Sequence, residues 1–168
     1  MAIAGIIIGI LVTMAQVGAF LAAREGMSAF SQLVYGKINT FMVEVEAQNF
    51  DAARASVAGP VAQASGEQLE AFRSAYTGAY GSFVGIPMDW MDLFGAYAEI
   101  GPQMQAYQGR QDIIPIPAAF DSGRVLMLAV IDQSGAQTQP TGQPVIPLQD
   151  LWIVMPDGTE LRLLGSQG

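Results

Sequence analysis

The sequence predicts an α+β domain behind one N-terminal membrane helix, and three observations carry that expectation. Residues 1–23, MAIAGIIIGILVTMAQVGAFLAA, contain no charged side chain. As far as about Gln108 the apolar residues mostly recur at helical spacing. Beyond Asp112 the chain changes to short apolar runs divided by Gly, Pro and Asp turns, the pattern of strands. Helices followed by antiparallel strands predict two or three helices after the first, packed on one face of a three- to four-stranded sheet.

The first 23 residues, built as a helix rising ~1.5 Å per residue, cross a ~30 Å hydrocarbon core. No basic residue precedes the apolar run, which is longer than a usual signal-peptide core. An uncleaved single-pass helix is therefore expected. Ala2, Gly5, Gly9, Thr13 and Gln16 fall on one side of it, and Gly5–Gly9 is a GxxxG. Small residues let a second helix approach closely in lipid, while Thr and Gln can hydrogen-bond across the contact. Gly5, Gly9, Thr13 and Gln16 are thus the candidate packing face. The plainer reading is that Gly is common in membrane helices anyway.

Residues 24–165 are read as a single domain, with helices over 24–108, a sheet over 112–164 and a tail at 166–168. From Met27 the positions Phe30, Leu33/Val34, Ile38, Phe41/Met42 and Val45 make an apolar stripe. The membrane helix is expected to run on into this amphipathic one, which ends near Gln48. Asp51 to Ala58 predicts a short helix stopped by Gly59-Pro60. Ser65-Gly-Glu-Gln68 is a capping box, opening a helix that runs to about Tyr80. Ser82 to Val84 reads as extended. Asp89 starts a further helix that turns Trp90, Leu93, Phe94, Tyr97 and Ile100 inward, with Gly101-Pro102 expected to break it. Pro115 and Pro117 predict an edge strand over Ile113 to Phe120. Arg124 to Asp132 and Leu148 to Met155 read as strands. Ser134 to Pro144 reads as a flexible loop. Pro156-Asp-Gly158 turns into a return strand, Thr159 to Leu164.

Composition removes several function classes. The net charge is −8, with seven Lys and Arg, which provides no basic stripe for nucleic acid. It also argues against a domain lying flat on anionic lipid. There is no cysteine and no histidine, so thiolate chemistry, Cys/His zinc sites and His-based triads are excluded. No metal and no cofactor is expected. Arg24 and Lys37 follow the apolar run, a small count that leans toward a cytoplasmic domain. An acidic domain poor in Lys and Arg is easier to translocate, and a periplasmic placement is the expectation adopted.

Asn49-Phe-Asp-Ala-Ala-Arg54 and Ser65-Gly-Glu-Gln68 leading to Tyr80-Gly81 resemble the opening of small membrane-anchored bacterial NTF2-like domains. A long helix, short helices and then a curled sheet is similar to NTF2-like and cystatin-like folds. The resemblance implies a domain able to hold a small apolar ligand between sheet and helices. It implies no fixed catalytic set. A second resemblance is to type IV pilin-like subunits, whose apolar half-helix continues into an amphipathic half before a β-meander. Those proteins carry a glutamate at position five, where this chain has Gly5.

Trp90, Phe94, Tyr97, Phe120 and Trp152 are the candidate lining of such a pocket, beside the plainer reading that they are core. Asp89, Asp92 and Glu99 are weighed as a cation or acid/base cluster against an N-cap and helix-dipole role. Asp121-Ser-Gly123 matches an aspartic-protease triplet, but one copy lacks the second Asp that chemistry needs, and a turn explains it. Met88, Met91, Met104, Met127 and Met155 read as gap filler. Tyr76, Tyr80, Tyr97 and Tyr107 suit either a protein surface or half-buried helix faces. No catalytic residue is nominated.

The function expected on these grounds is a non-catalytic, single-pass accessory subunit, of the kind respiratory and photosynthetic complexes carry. Its partners would be membrane lipid and the helices of other subunits or of further copies. A pilin-like filament subunit and a small-ligand-binding NTF2-like domain are the alternatives.

Overall fold

The computed structural model describes residues 33–107, 110, 112–131, 137–138, 144–145 and 147–165, with backbone only at Trp90 and at 137–138 and 144–145. Residues 1–23, expected to span a membrane through a helix with Gly5, Gly9, Thr13 and Gln16 on one face, and the tail 166–168 lie outside these residues. Among the described residues no helix is long and apolar enough to cross a membrane.

The architecture is α+β, with an antiparallel sheet. Helix α1, described over 33–46, buries Val34, Tyr35, Ile38, Phe41, Met42 and Val45. This is the described part of the stripe expected from spacing, with Tyr35 added and Leu33 left exposed; Met27 and Phe30 lie outside the described residues. Helix α2 is Phe50–Ser56, and a 3-10 turn follows over Pro60–Gln63. Helix α3, Gly66–Tyr80, opens on the expected capping box. Gln68 N donates to Ser65 Oγ at 3.1 Å, and Ser65 N donates back to Gln68 Oε1 at 2.8 Å. Its buried face is Leu69, Phe72 and Tyr76.

Strand β1, Phe83–Gly85, precedes helix α4, Trp90–Met104. Then come β2, Ile113–Phe120, and β3, Gly123–Ile131. Short strands β4, Gln137–Thr138, and β5, Pro144–Val145, pair with each other within and at the end of the stretch expected to be loop. Strands β6, Leu148–Val154, and β7, Glu160–Arg162, close the chain. The main sheet has five strands in the order β1-β2-β3-β6-β7, one more than the largest number expected, because the short piece after α3 pairs with β2.

Three expectations need correction. First, the helices do not share one face. Side chains alternate across a strand. On β3, Val125, Met127 and Ala129 join the large core with α1, α2 and α3, while Leu126 and Leu128 join a second core with Ile100 of α4, Ile113, Trp152 and Val154. The sheet is therefore covered on both sides.

Second, β2 is not an edge strand. It pairs with β3 along its whole length, and β1 pairs only at its far end, Phe83 with Phe120 and Gly85 with Ala119. Pro115 and Pro117 are two apart, so their missing N–H groups lie on the same side, away from β3. There β2 faces α4 instead of another strand. Tyr97 Oη donates to Pro115 O at 2.7 Å. The prolines mark a locally unpaired margin covered by a helix.

Third, Pro102 does not break α4, which continues to Met104. It sits in the last turn, where few intrahelical bonds remain beyond it to be disturbed, and α4 passes directly into a 3-10 turn, Gln105–Tyr107.

A bulge also shifts the facing pattern. Val130 pairs with Asp150 but Ile131 pairs with Leu148, leaving Gln149 unopposed. The extra residue reverses the alternation. Leu148 therefore lies in the large core although Trp152, four residues on, faces the other side.

Candidate functional site

The five aromatic candidates do not converge on one cavity. Phe120 is on the α1–α3 side, 3% exposed, at the centre of an aromatic group. Its ring lies 5.5 Å from Tyr76, 5.8 Å from Tyr80 and 5.5 Å from Phe83, mostly edge to face. Trp152 is on the opposite side of the sheet. Its Nε1 donates to Asp150 Oδ2 at 2.6 Å, and the guanidinium of Arg162 stands 4.1 Å from its ring. Asp150 is itself occupied, accepting at Oδ1 from Leu151 N and Leu164 N. Phe94 points outward and is 66% exposed, contrary to expectation. On α4, Leu93, Ala96 and Ile100 take the buried positions, three and four residues apart, which leaves position 94 on the outer face. The side chain of Trp90 lies outside what is described.

Tyr97 sits where α1, α4 and β2 meet. It donates to Pro115 O and accepts from Tyr35 Oη at 2.5 Å. A second polar junction ties α1 to α3 and β1: the Glu46 carboxylate accepts from Tyr76 Oη at 2.8 Å and from Phe83 N at 3.3 Å. Tyr80 Oη donates to Val154 O at 2.7 Å. Three of the four helix tyrosines, Tyr76, Tyr80 and Tyr97, thus use their hydroxyls in bonds inside the fold.

Burial raises the phenol of Tyr35 above its usual 10.0, with the bond to Tyr97 pulling the other way. Burial is also the main cause raising Tyr97, with the neighbouring Tyr35 adding to it. Burial first and the Glu46 carboxylate second raise Tyr76. None of the three acts as a base near neutral pH. The sign of the stability effect follows. Unfolded phenols release protons near pH 10 and the folded ones do not, so the unfolded state binds fewer protons above that pH. Their contribution is complete below pH 10 and is lost as pH rises beyond it. The melting temperature should therefore fall more steeply above pH 10 in the native chain than in a Tyr35→Phe/Tyr97→Phe variant. Parallel slopes in a thermal-melt series would contradict this.

Of the acidic candidates, Asp89 and Asp121 bond backbone N–H groups, and Asp92 is an exposed acid in the first turn of α4. Asp89 is the N-cap of α4, with its Oδ1 accepting from Met91 N at 2.8 Å. Glu99 faces Arg124 at 3.9 Å. Asp121 is a brace: its Oδ2 accepts from Ser82 N at 2.8 Å, and its N donates to Ser82 O, locking the β2–β3 turn onto the α3–β1 junction. Met127 is fully buried, as filler should be, but Met88 is 39% and Met91 73% exposed. Sequence reasoning missed that exposure. Apolar spacing on α4 is wide enough to be read inward all round, and only the sheet decides which stripe is covered.

Comparison with protein-family models, curated proteins and solved structures returns no match.

Proposed function

We propose that this chain is a non-catalytic, single-pass accessory subunit of a larger membrane assembly. Residues 1–23 dock it through helix–helix packing, with the α+β domain outside the bilayer on the periplasmic side. The observation that carries this reading is the 23-residue uncharged stretch with its face of Gly5, Gly9, Thr13 and Gln16. Support also comes from how the domain uses its polar side chains. Glu46, Asp121 and Asp150 each accept backbone N–H groups within the fold, and Tyr76 and Tyr97 are hydrogen-bonded inside it. Helix α1 lying along one sheet face supports kinship with membrane-anchored NTF2-like or cystatin-like domains. The second half of α4, which carries Ile100 to the other face while Leu93 stays in the large core, departs from that plan.

Blue-native electrophoresis after mild solubilisation provides the test. The native chain should migrate in a larger species, and a Gly5→Leu/Gly9→Leu variant should migrate lower while remaining in the membrane after carbonate washing. Migration of the native chain solely as a monomer would sink the proposal.

A further inference from the structure

Six large apolar side chains are conspicuously exposed among the described residues, and four of them, Val84, Met88, Met91 and Phe94, fall within one segment between β1 and the second turn of α4. Hydrogen bonds locate that segment against α1. Phe83 N reaches Glu46, near the C-terminal end of α1, and Ile86 N reaches Asn39 Oδ1 at 2.9 Å, two turns earlier. Tyr97 then meets Tyr35, a further turn toward the start. The chain from Phe83 onward therefore climbs antiparallel to α1 and turns over into α4 near the N-terminal end of α1. Met88, Met91 and Phe94 belong to this tip. Leu33, at the first described position of α1, is 36% exposed as well.

The same end of the domain receives the chain from residues 1–23. Nine residues separate Ala23 from Leu33. At ~1.5 Å per residue as helix or ~3.5 Å fully extended, they hold the start of α1 within about 14 to 32 Å of the end of the apolar stretch. Resting on the reading of residues 1–23 as a membrane helix, we propose that the tip formed by Met88, Met91 and Phe94 is a second membrane contact, seated in the interfacial layer of the same bilayer. Met and Phe suit that layer, where apolar side chains enter about 5–10 Å. The exposed acids beside them, Asp89 and Asp92, disfavour anionic headgroups, so the lipid is zwitterionic and the contact does not weaken with salt. The two attachments together fix the tilt of the domain on the membrane.

The chain has no cysteine, so one introduced cysteine labels uniquely. The full chain is reconstituted in phosphatidylcholine nanodiscs as Met91→Cys, Phe94→Cys and Glu67→Cys, each carrying an environment-sensitive nitrobenzoxadiazole dye. Glu67 is exposed at the start of α3, and Gln48 bonded to Glu70 puts that start near the opposite end of α1. The expected result is blue-shifted emission at 91 and 94, quenched by lipids spin-labelled near the headgroup and unchanged by salt, with water-like emission at 67. Water-like emission at all three positions on discs that retain the chain would overturn the contact and leave the anchor standing. A blue shift that lipid quenchers do not touch would mean protein covers the tip, and would overturn it too. Failure of the native chain to associate with discs would remove both the anchor and the contact.

Discussion

Replacing Phe120 by alanine is expected to lower stability by about 3–5 kcal/mol, the usual cost of deleting a buried aromatic ring. The site cannot easily collapse. Tyr76, Tyr80 and Phe83 meet Phe120 from α3 and β1, and the Tyr76 and Tyr80 hydroxyls are tied to Glu46 and Val154. These rings are anchored and do not slide freely into the space. The substitution also removes the side chain opposite Phe83, where β1 joins the sheet. Protection of the β1 amides in hydrogen exchange should fall along with global stability. Phe120→Leu, which keeps most of the apolar volume, should recover more than half of the loss. A cost below about 1 kcal/mol for Phe120→Ala in chemical denaturation would show that this side of the sheet is not closely packed.

Gly81→Ala should cost about 2–4 kcal/mol, from two separable causes. Gly81 has φ of +80°, a left-handed conformation that L residues adopt only with strain. A Cβ there would also lie 2.7 Å from Asp121 Cβ and 2.9 Å from its Oδ2. Asp121 cannot simply swing away, because its Oδ2 holds Ser82 N and its backbone N donates to Ser82 O. A double-mutant cycle with Asp121→Gly separates the causes. The steric part vanishes in the double variant and the backbone strain remains, so the two losses should sum to more than the double variant shows. Strict additivity would mean that the close approach contributes nothing. The corresponding melting-temperature loss for Gly81→Ala, in a domain of this size, is on the order of 10 °C.

Much of the local structure was legible because its causes are local. The capping box at Ser65 and Gln68 starts α3 as read, and the stripe Val34, Ile38, Phe41, Met42 and Val45 is the buried face of α1. Asp157 holds Thr159 N across the β6–β7 turn. Each depends on residues within one or two turns of each other. The candidate sites were less legible. Phe120 and Trp152 look alike as text, both aromatics on strands, yet face opposite sides. The parity of a strand says that neighbours alternate but not which face receives which helix.

The sequence by itself determined the α+β class, both ends of α3, the start of α4, the last hairpin and the exclusion of thiol and imidazole chemistry. These follow from periodicity, capping, turn residues and composition. Only the tertiary structure decided that α4 crosses the proline-bearing margin of β2, that the sheet is covered on both sides and that Met91 and Phe94 remain outside. The physical reason is that α4 carries more apolar surface than one helix face can bury, from Met88 before it through Trp90, Met91, Leu93, Phe94, Ala96 and Ile100. Which part is buried is set by contacts with β2 and β3, distant in sequence, and the part left over is what the domain has available for its surroundings.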